Sequence, residues 1–157
     1  MGDRTQISQS GWGVRLYGLE EYKREITSAE LLDLLANPQV IVPGTPGRIT
    51  CPQSVHLIYK AGSIPYTIAD AGDTLDINIA AIAGTTIDQF ALTTGYLDQA
   101  VDMYIEMFYA IFSPRTLATA IAADLLLGVG NTTGAAHNPT LGNGTLIVKT
   151  HFYLVEP

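Results

Sequence analysis

The chain has 157 residues, of which 47% are apolar and only 15% are charged, and its formal net charge is −7. An average soluble domain carries about 25% charged residues, so this chain has few charges to cover its surface. Such a composition favours a protein whose surface is partly covered by other subunits. Eight basic residues against fifteen acids argue against nucleic-acid and anionic-membrane partners, because clustered basic side chains must neutralise phosphates.

The first 26 residues differ in composition from the rest. They combine glycines with aromatic side chains, and they show no sustained apolar period. A segment of this kind often becomes ordered only against a partner. We therefore predict an N-terminal arm over residues 1–26 and a single domain over 27–157. Four residues of the arm are predicted to bind a partner: Trp12, Arg15, Tyr17 and Tyr22.

One helix is predicted directly after the arm. Thr27 and Glu30 have the spacing of a capping box, in which each side chain accepts a hydrogen bond from the other residue's backbone amide. Leucines follow at helical spacing, and Pro38 disfavours helical geometry at Asn37. The pattern predicts a short helix of two to three turns.

Strands and turns are predicted after Pro38. Alternation of apolar and polar residues, which is typical of a half-buried strand, is clearest in residues 48–60 and near the C-terminus. Further strands are predicted at 39–42, 64–69, 74–79, 85–92 and 103–112. Residues 118–129 fit a strand or a helix, with a strand favoured, and 130–144 are rich in turn residues. About eight strands in this order predict an all-β fold, a sandwich or barrel.

Two details of the long strand 48–60 can be read from its pattern. Alternation places Ile49, Cys51, Val55, Leu57 and Tyr59 on one face. A proline inside the run, at position 52, predicts either an edge strand or a bulge, because proline cannot donate a ladder hydrogen bond.

Metal and cofactor sites are not predicted. His56, His137 and His151 lack the spacing of metal ligands, so a solvated or hydrogen-bonded role is favoured. The acids of Asp70–Asp76 recur every third residue, which fits turns better than a calcium loop. The glycines of 128–134 do not match a dinucleotide fingerprint, and they predict a loop.

Catalytic residues are not predicted either. The single cysteine, Cys51, lies in a predicted strand and is expected to be an inert thiol. No serine lies in a nucleophile elbow. Glu106 lies within an apolar run, where a buried carboxyl would have a raised pKa, but a strand position that faces solvent or a partner is favoured. We therefore expect a protein that is not an enzyme.

Three stretches of the chain carry a resemblance to a known family. They are Pro38 to Lys60, then Ile64-Pro-Tyr-Thr67, and the closing segment from Asn138 to Val155. Their succession of turn and strand types resembles small β-rich structural proteins of tailed bacteriophages, most closely the capsid decoration, or cement, proteins. The resemblance covers the chain from about residue 26 to the end.

The resemblance implies a jelly-roll sandwich that forms homotrimers and stabilises an icosahedral shell by binding across subunits of the major capsid protein. The expected location is the capsid surface of the virion, after synthesis in the host cytoplasm. The family has no catalytic residues or cofactor to carry over. Two alternatives remain: a phage tail or head-fibre (vertex) protein, and a carbohydrate-binding β-sandwich.

Overall fold

A computed structural model of the chain describes residues 15–16, 18–79, 86–91, 95–108, 121–132 and 134–156. Within these ranges the protein contains nine strands and one short helix. In chain order the elements are β1 (Arg15–Leu16), β2 (Glu20–Ile26), α1 (Ser28–Leu31), β3 (Gln39–Val42), β4 (Ile49–Lys60), β5 (Asp73–Ile79), β6 (Thr86–Ala91), β7 (Met103–Phe108), β8 (Leu125–Asn131) and β9 (Thr145–Glu156).

The strands form two antiparallel sheets. In the first sheet β9 lies between β4 and the successive strands β1 and β2, and β7 pairs with the other side of β4. The second sheet has the order β3-β8-β5-β6. The predicted all-β sandwich is confirmed.

The connectivity of β2 to β9 is that of a rolled hairpin. Strand β2 pairs with β9, β3 with β8, β4 with β7 and β5 with β6, so the pairs are nested and alternate between the two sheets. The pairings of β4 with β9 and of β5 with β8 close the roll. Eight strands connected in this way make a jelly roll. The two-residue β1 extends the first sheet beside β9.

Side-chain alternation along β9 explains how the core forms. Every second residue of this strand points between the sheets and is buried: Leu146, Val148, Thr150, Phe152 and Leu154. Apolar residues of β5 and β8 meet them from the second sheet. Burying each large aliphatic side chain contributes about 1.5–3 kcal/mol relative to exposure, so this pattern fixes the strand's register.

A bulge in β4 corrects the predicted faces of that strand. The register with β9 shifts between Pro52 and Ser54, which confirms one of the two predictions made from the proline. The extra residue reverses the alternation. Thr50 is therefore buried ahead of the bulge, whereas Ile49 and Cys51 are only half-buried. The prediction that these two residues share the inward face of Val55 was wrong, because period two does not anticipate a bulge.

The helix begins as predicted but is shorter. Thr27 is the N-cap, and the reciprocal bonds of the capping box with Glu30 are both present. Only Ser28–Leu31 is α-helical, and residues 32–36 form turns. The backbone amide of Leu35 donates to Asn138 Oδ1 at 2.7 Å, which takes it away from a helical partner. The α-helical bonding already ends at Leu32, since the Asp33 amide donates to the Glu30 carbonyl three residues back, and the contact with Asn138 then holds the Leu35 amide outside the helix.

Two other predictions were wrong. Residues 64–69 do not form a strand, and their only ladder contact is the isolated bridge between Thr67 and Thr140. The predicted loop over 128–134 begins too early, because β8 continues to Asn131. A Cβ on Gly130 would lie 2.1 Å from Asp76 Oδ2, so this glycine serves close strand packing. The described part of 118–129 is a strand from Leu125.

The predicted arm also overlaps the sandwich. Residues 20–26 form β2, which pairs with β9 over its whole length. The Arg24 guanidinium donates to Glu30 Oε1 at 2.9 Å and to Gln39 Oε1 at 3.0 Å, so it links this strand to the second sheet. The boundary predicted at residue 26 therefore lies inside the fold, whose first sheet includes β2.

Candidate functional site

One end of the sandwich is built from four connecting segments. Strands β2 and β4 end there, and β7 and β9 begin there, because Ile26 pairs with Leu146, and Tyr59 with both Met103 and Leu146. We define the loop end as residues 32–36, 61–68, 95–102 and 138–144.

Side-chain and backbone hydrogen bonds hold these segments together. Asn143 is the centre of one set: its Oδ1 accepts from the Ile64 amide at 2.9 Å, and its Nδ2 donates to Ser63 Oγ at 3.0 Å. Thr67 and Thr140 exchange two backbone bonds, of 2.8 and 2.9 Å. The loops at this end are thus tied to one another as well as to their own strands.

Three buried tyrosines lie beneath the loop end. The ring of Tyr59 is 6.3 Å from that of Tyr66 and 5.9 Å from that of Tyr96, between centroids. Burial, with a smaller effect of Tyr59, raises the pKa of Tyr66 to about 12, and its hydroxyl donates to the Gly144 carbonyl at 2.8 Å. Gly142 packs directly on this ring, since an added Cβ would lie 2.3 Å from Tyr66 Cγ. The layer of tyrosine rings beneath the loop end is therefore tightly packed.

Apolar side chains project from the loop end into solvent. Among the described residues, six large apolar side chains are exposed, and four of them belong to the loop end: Leu35, Ile64, Val101 and Leu141. Leu141 is the most exposed, at 75%, and its φ is +67°. A positive φ is unusual for any residue with a large side chain. The loop end thus combines a rigid frame with exposed apolar groups.

The charged groups of the loop end are mainly acidic. Asp33, Asp98 and Asp102 lie on its segments, and Lys60 adjoins it. The Lys60 ammonium lies 2.6 Å from Asp102 Oδ2, and this bond, with a second from the Ala61 amide, lowers the Asp102 pKa. By residue count, the loop end therefore has three aspartates against one adjoining lysine.

A second polar cluster crosses the outer face of the first sheet. We define the histidine network as Glu21, Ser54, His56, Tyr104, Glu106 and His151, which come from β2, β4, β7 and β9. Ser54 Oγ lies 3.2 Å from a ring nitrogen of both histidines. His151 reaches Glu21 at 3.1 Å, and His56 reaches the Tyr104 hydroxyl at 2.6 Å.

The hydrogen bonds of the histidine network can all be donated in the same direction along it. The Glu21 carboxylate only accepts, so His151 Nε2 donates to it and His151 Nδ1 accepts from the Ser54 hydroxyl. The Ser54 hydroxyl then accepts from His56 Nε2, and His56 Nδ1 accepts from the Tyr104 hydroxyl. Partial desolvation, together with the charge of the nearby Glu106 carboxylate and a hydrogen bond to it, raises the pKa of the exposed Tyr104 phenol, which is therefore protonated at neutral pH.

The groups of this network are those of serine hydrolases, but their placement favours a structural role. Ser54 is only 7% exposed and lies in a strand paired on both sides, so a substrate carbonyl cannot approach its Oγ without displacing the histidine rings. We interpret the histidine network as a set of hydrogen bonds that stabilises the packing of four neighbouring strands on an exposed sheet face.

Replacing Ser54 tests this interpretation. In Ser54→Ala both histidines lose their shared partner, and we expect the free energy of unfolding to fall by about 1–2 kcal/mol. Urea unfolding monitored by circular dichroism measures the change. Gln53→Ala is the matched control, because Gln53 is exposed and its side chain, among the described contacts, bonds only the carbonyl of its neighbour Pro52. An unchanged free energy of unfolding in Ser54→Ala would contradict the stabilising role of the histidine network.

Asp73 forms a third polar cluster, where residues 70–73 meet the loop after β8. Its side chain is 1% exposed and accepts from Asn131 Nδ2 at 2.9 Å and from the His137 amide at 3.1 Å. Asp70 accepts from the Gly72 amide at 2.6 Å, as the turn prediction requires. Among the described residues, no group of three or more potential ligands is placed to hold a metal ion.

Of the four residues predicted to bind a partner, the structure describes Arg15 and Tyr22. Trp12 and Tyr17 lie outside the described residues. Arg15 begins β1 beside Glu156, and Tyr22 is half-buried against the protein's own core, so it is part of the sandwich. The exposed apolar residues of the loop end were not predicted as a site. One signal was available for Leu141, which is an isolated leucine in a stretch rich in glycine and asparagine.

Comparison with protein-family models, curated proteins and solved structures finds no match to the chain. No helix in the described ranges is long and apolar enough to cross a membrane.

Proposed function

We propose that this protein is a virion structural protein that decorates and stabilises an icosahedral phage capsid. It binds as a homotrimer across neighbouring subunits of the major capsid protein, at the outer surface of the shell. The observation that carries this proposal is the loop end, where four exposed apolar side chains project from a rigid frame. A rigid apolar surface binds another protein with little loss of conformational entropy.

Two further features support a role in an assembly. The chain carries few charges for its size, which suits a subunit whose surface is covered in use. The jelly roll also places its loops at the two ends of the sandwich, so a docking surface can form without disturbing the core. Binding only to the assembled shell would stabilise that state by mass action.

Shell binding tests the proposed function directly. The probe is expanded shells assembled from the major capsid protein encoded with this chain, and the measurement is co-sedimentation over a range of concentrations. We expect saturable binding, in a fixed ratio to the shell subunits, and no binding to unassembled subunits. Light scattering of the free protein should give the mass of a trimer. Absence of shell binding, or a few copies confined to a tail or vertex, would contradict decoration.

The arm is part of the proposal, with Trp12 as an anchor that lies on the shell or on a sister subunit. Deleting residues 1–14 preserves β2, whereas a deletion through residue 24 would remove most of that strand. We expect the deletion to weaken shell binding and to leave the melting temperature unchanged, because the sandwich is retained. Trp12→Ala in the full chain should weaken binding in the same direction. Full shell affinity in both variants would contradict a role for the arm.

A further inference from the structure

We propose that the loop end is the face that meets the capsid, and that it docks through Leu141 onto an apolar patch rimmed by lysine or arginine side chains. This inference rests on the proposed function and identifies the surface that performs it. It also states the chemistry of the partner's surface.

Leu141 is held in an unusual position by the residues around it. Its neighbour Thr140 is paired with Thr67, the Gly142 amide donates to the Thr140 carbonyl at 2.9 Å, and Gly142 packs on Tyr66. The backbone at Leu141 therefore keeps a positive φ, and its side chain remains in water. Both features are unfavourable in the free protein. A partner that covers Leu141 therefore contacts a side chain whose backbone position is already fixed before binding.

The apolar contacts are not confined to Leu141. Leu35 is tied to the same segment through Asn138, and Ile64 through Asn143. Val101 precedes Asp102, which accepts from the Ala61 amide at 2.9 Å. These bonds place the exposed apolar residues on adjoining segments of one surface. Interfaces of this kind depend on a few central apolar anchors surrounded by weaker contacts.

The charge of the loop end distinguishes two possible binding partners, a second copy of this chain and a shell surface with basic residues. Two copies that met through the same surface would bring Asp33, Asp98 and Asp102 of one copy close to those of the other. Like charges facing each other across an interface oppose binding. A shell surface with lysine or arginine around an apolar patch is complementary instead. The structure thus favours a basic-rimmed partner over a second copy bound loop end to loop end.

The test pairs each change at the loop end with a matched change elsewhere. Leu141→Asn removes the apolar anchor but keeps a residue that tolerates positive φ. Ala122→Asn is its control, since Ala122 is also exposed and has a positive φ, of +57°, but lies ahead of β8, outside both the loop end and the arm. Asp98→Asn removes one acid of the loop end, and Glu106→Gln removes an exposed acid from β7, on the outer face of the first sheet. Each variant is titrated against the same expanded shells at several salt concentrations.

We expect Leu141→Asn to weaken shell binding by about tenfold or more without lowering the melting temperature. Asp98→Asn should weaken binding and reduce its salt dependence, and both control variants should bind as the wild type does. If the wild type binds shells and the loop-end variants bind equally well, this inference is wrong and the proposed function stands. If the wild type fails to bind shells, the proposed function itself fails. A wild-type dimer or trimer that Leu141→Asn dissociates, as measured by light scattering, would overturn the basic-rimmed partner.

Discussion

Substituting Gly142 by alanine is expected to destabilise the protein by about 3 kcal/mol or more, through overpacking of a closed site. The added Cβ would lie 2.3 Å from Cγ of the Tyr66 ring. That ring is 2% exposed, and its hydroxyl is anchored to the Gly144 carbonyl, so it cannot move aside without losing a buried hydrogen bond. The glycine is therefore needed for a close approach of backbone to ring.

Gly18→Ala is the matched control for this change. Among the described residues nothing lies within 4 Å of a Cβ at Gly18, and its φ lies outside the left-handed range. Alanine there should leave stability unchanged or raise it by up to about 1 kcal/mol, because it restricts the unfolded chain. Thermal and urea unfolding measure both variants. If Gly142→Ala unfolded at the wild-type midpoint, the loop end would be loosely packed, and its description as a rigid frame would be wrong.

Removal of the Asp73 carboxylate is the second large effect that we expect, with a loss of about 3 kcal/mol at neutral pH in Asp73→Ala. This carboxylate joins the turn at residues 70–73 to the loop after β8. Its oxygens accept from Asn131, from the amide and ring of His137, and from the Asp70 amide. Without it, Asn131, His137 and the Asp70 amide lose a shared acceptor that lies almost wholly out of solvent.

The pH dependence of stability tests the same cluster. Burial raises the pKa of the Asp73 carboxyl, but the hydrogen bonds from Asn131, His137 and Asp70 outweigh burial and hold that pKa below its usual value. Because folding lowers the pKa, ionised Asp73 contributes stability that is complete above about pH 4 and is lost as pH falls through the folded-state pKa.

The variant Asp73→Asn should therefore be less stable than the wild type at pH 7, and the difference should shrink as pH falls below about 4. Urea unfolding at a series of pH values measures the difference. Asp70→Asn is the control, because Asp70 is exposed and its side chain accepts from the Gly72 amide alone among the described contacts. A difference between wild type and Asp73→Asn that stayed constant with pH would contradict the ionised, hydrogen-bonded state of Asp73.

Much of the fold was predictable from local pattern. The alternation of β9 and the capping box at Thr27 were both confirmed, because each depends on residues close in sequence. The bulge in β4 was only partly predictable. Its proline indicated an irregularity, but the reversal of the inward face after Pro52 depends on pairing with β9. The length of α1 was not predictable from local propensity, since the turns that follow it are held by a bond from the Leu35 amide to Asn138, more than 100 residues away.

The candidate site was less predictable, because it is assembled from distant segments. His56 and His151 were predicted to be solvated or hydrogen-bonded, and they are hydrogen-bonded to Ser54. Their juxtaposition requires β4 and β9 to be neighbours, which no local pattern indicates. Ile64 was predicted in a strand, where its exposure would be unremarkable. Only the folded loops show that it and Leu141 belong to one surface.

The most direct test of the account is an electron cryomicroscopy reconstruction of the mature particle. We predict density for the β-sandwich outside the shell, in many symmetric copies, with the loop end against the major capsid protein and Leu141 covered. Absence of the protein from the shell surface, or a loop end that points into solvent, would contradict the central claim.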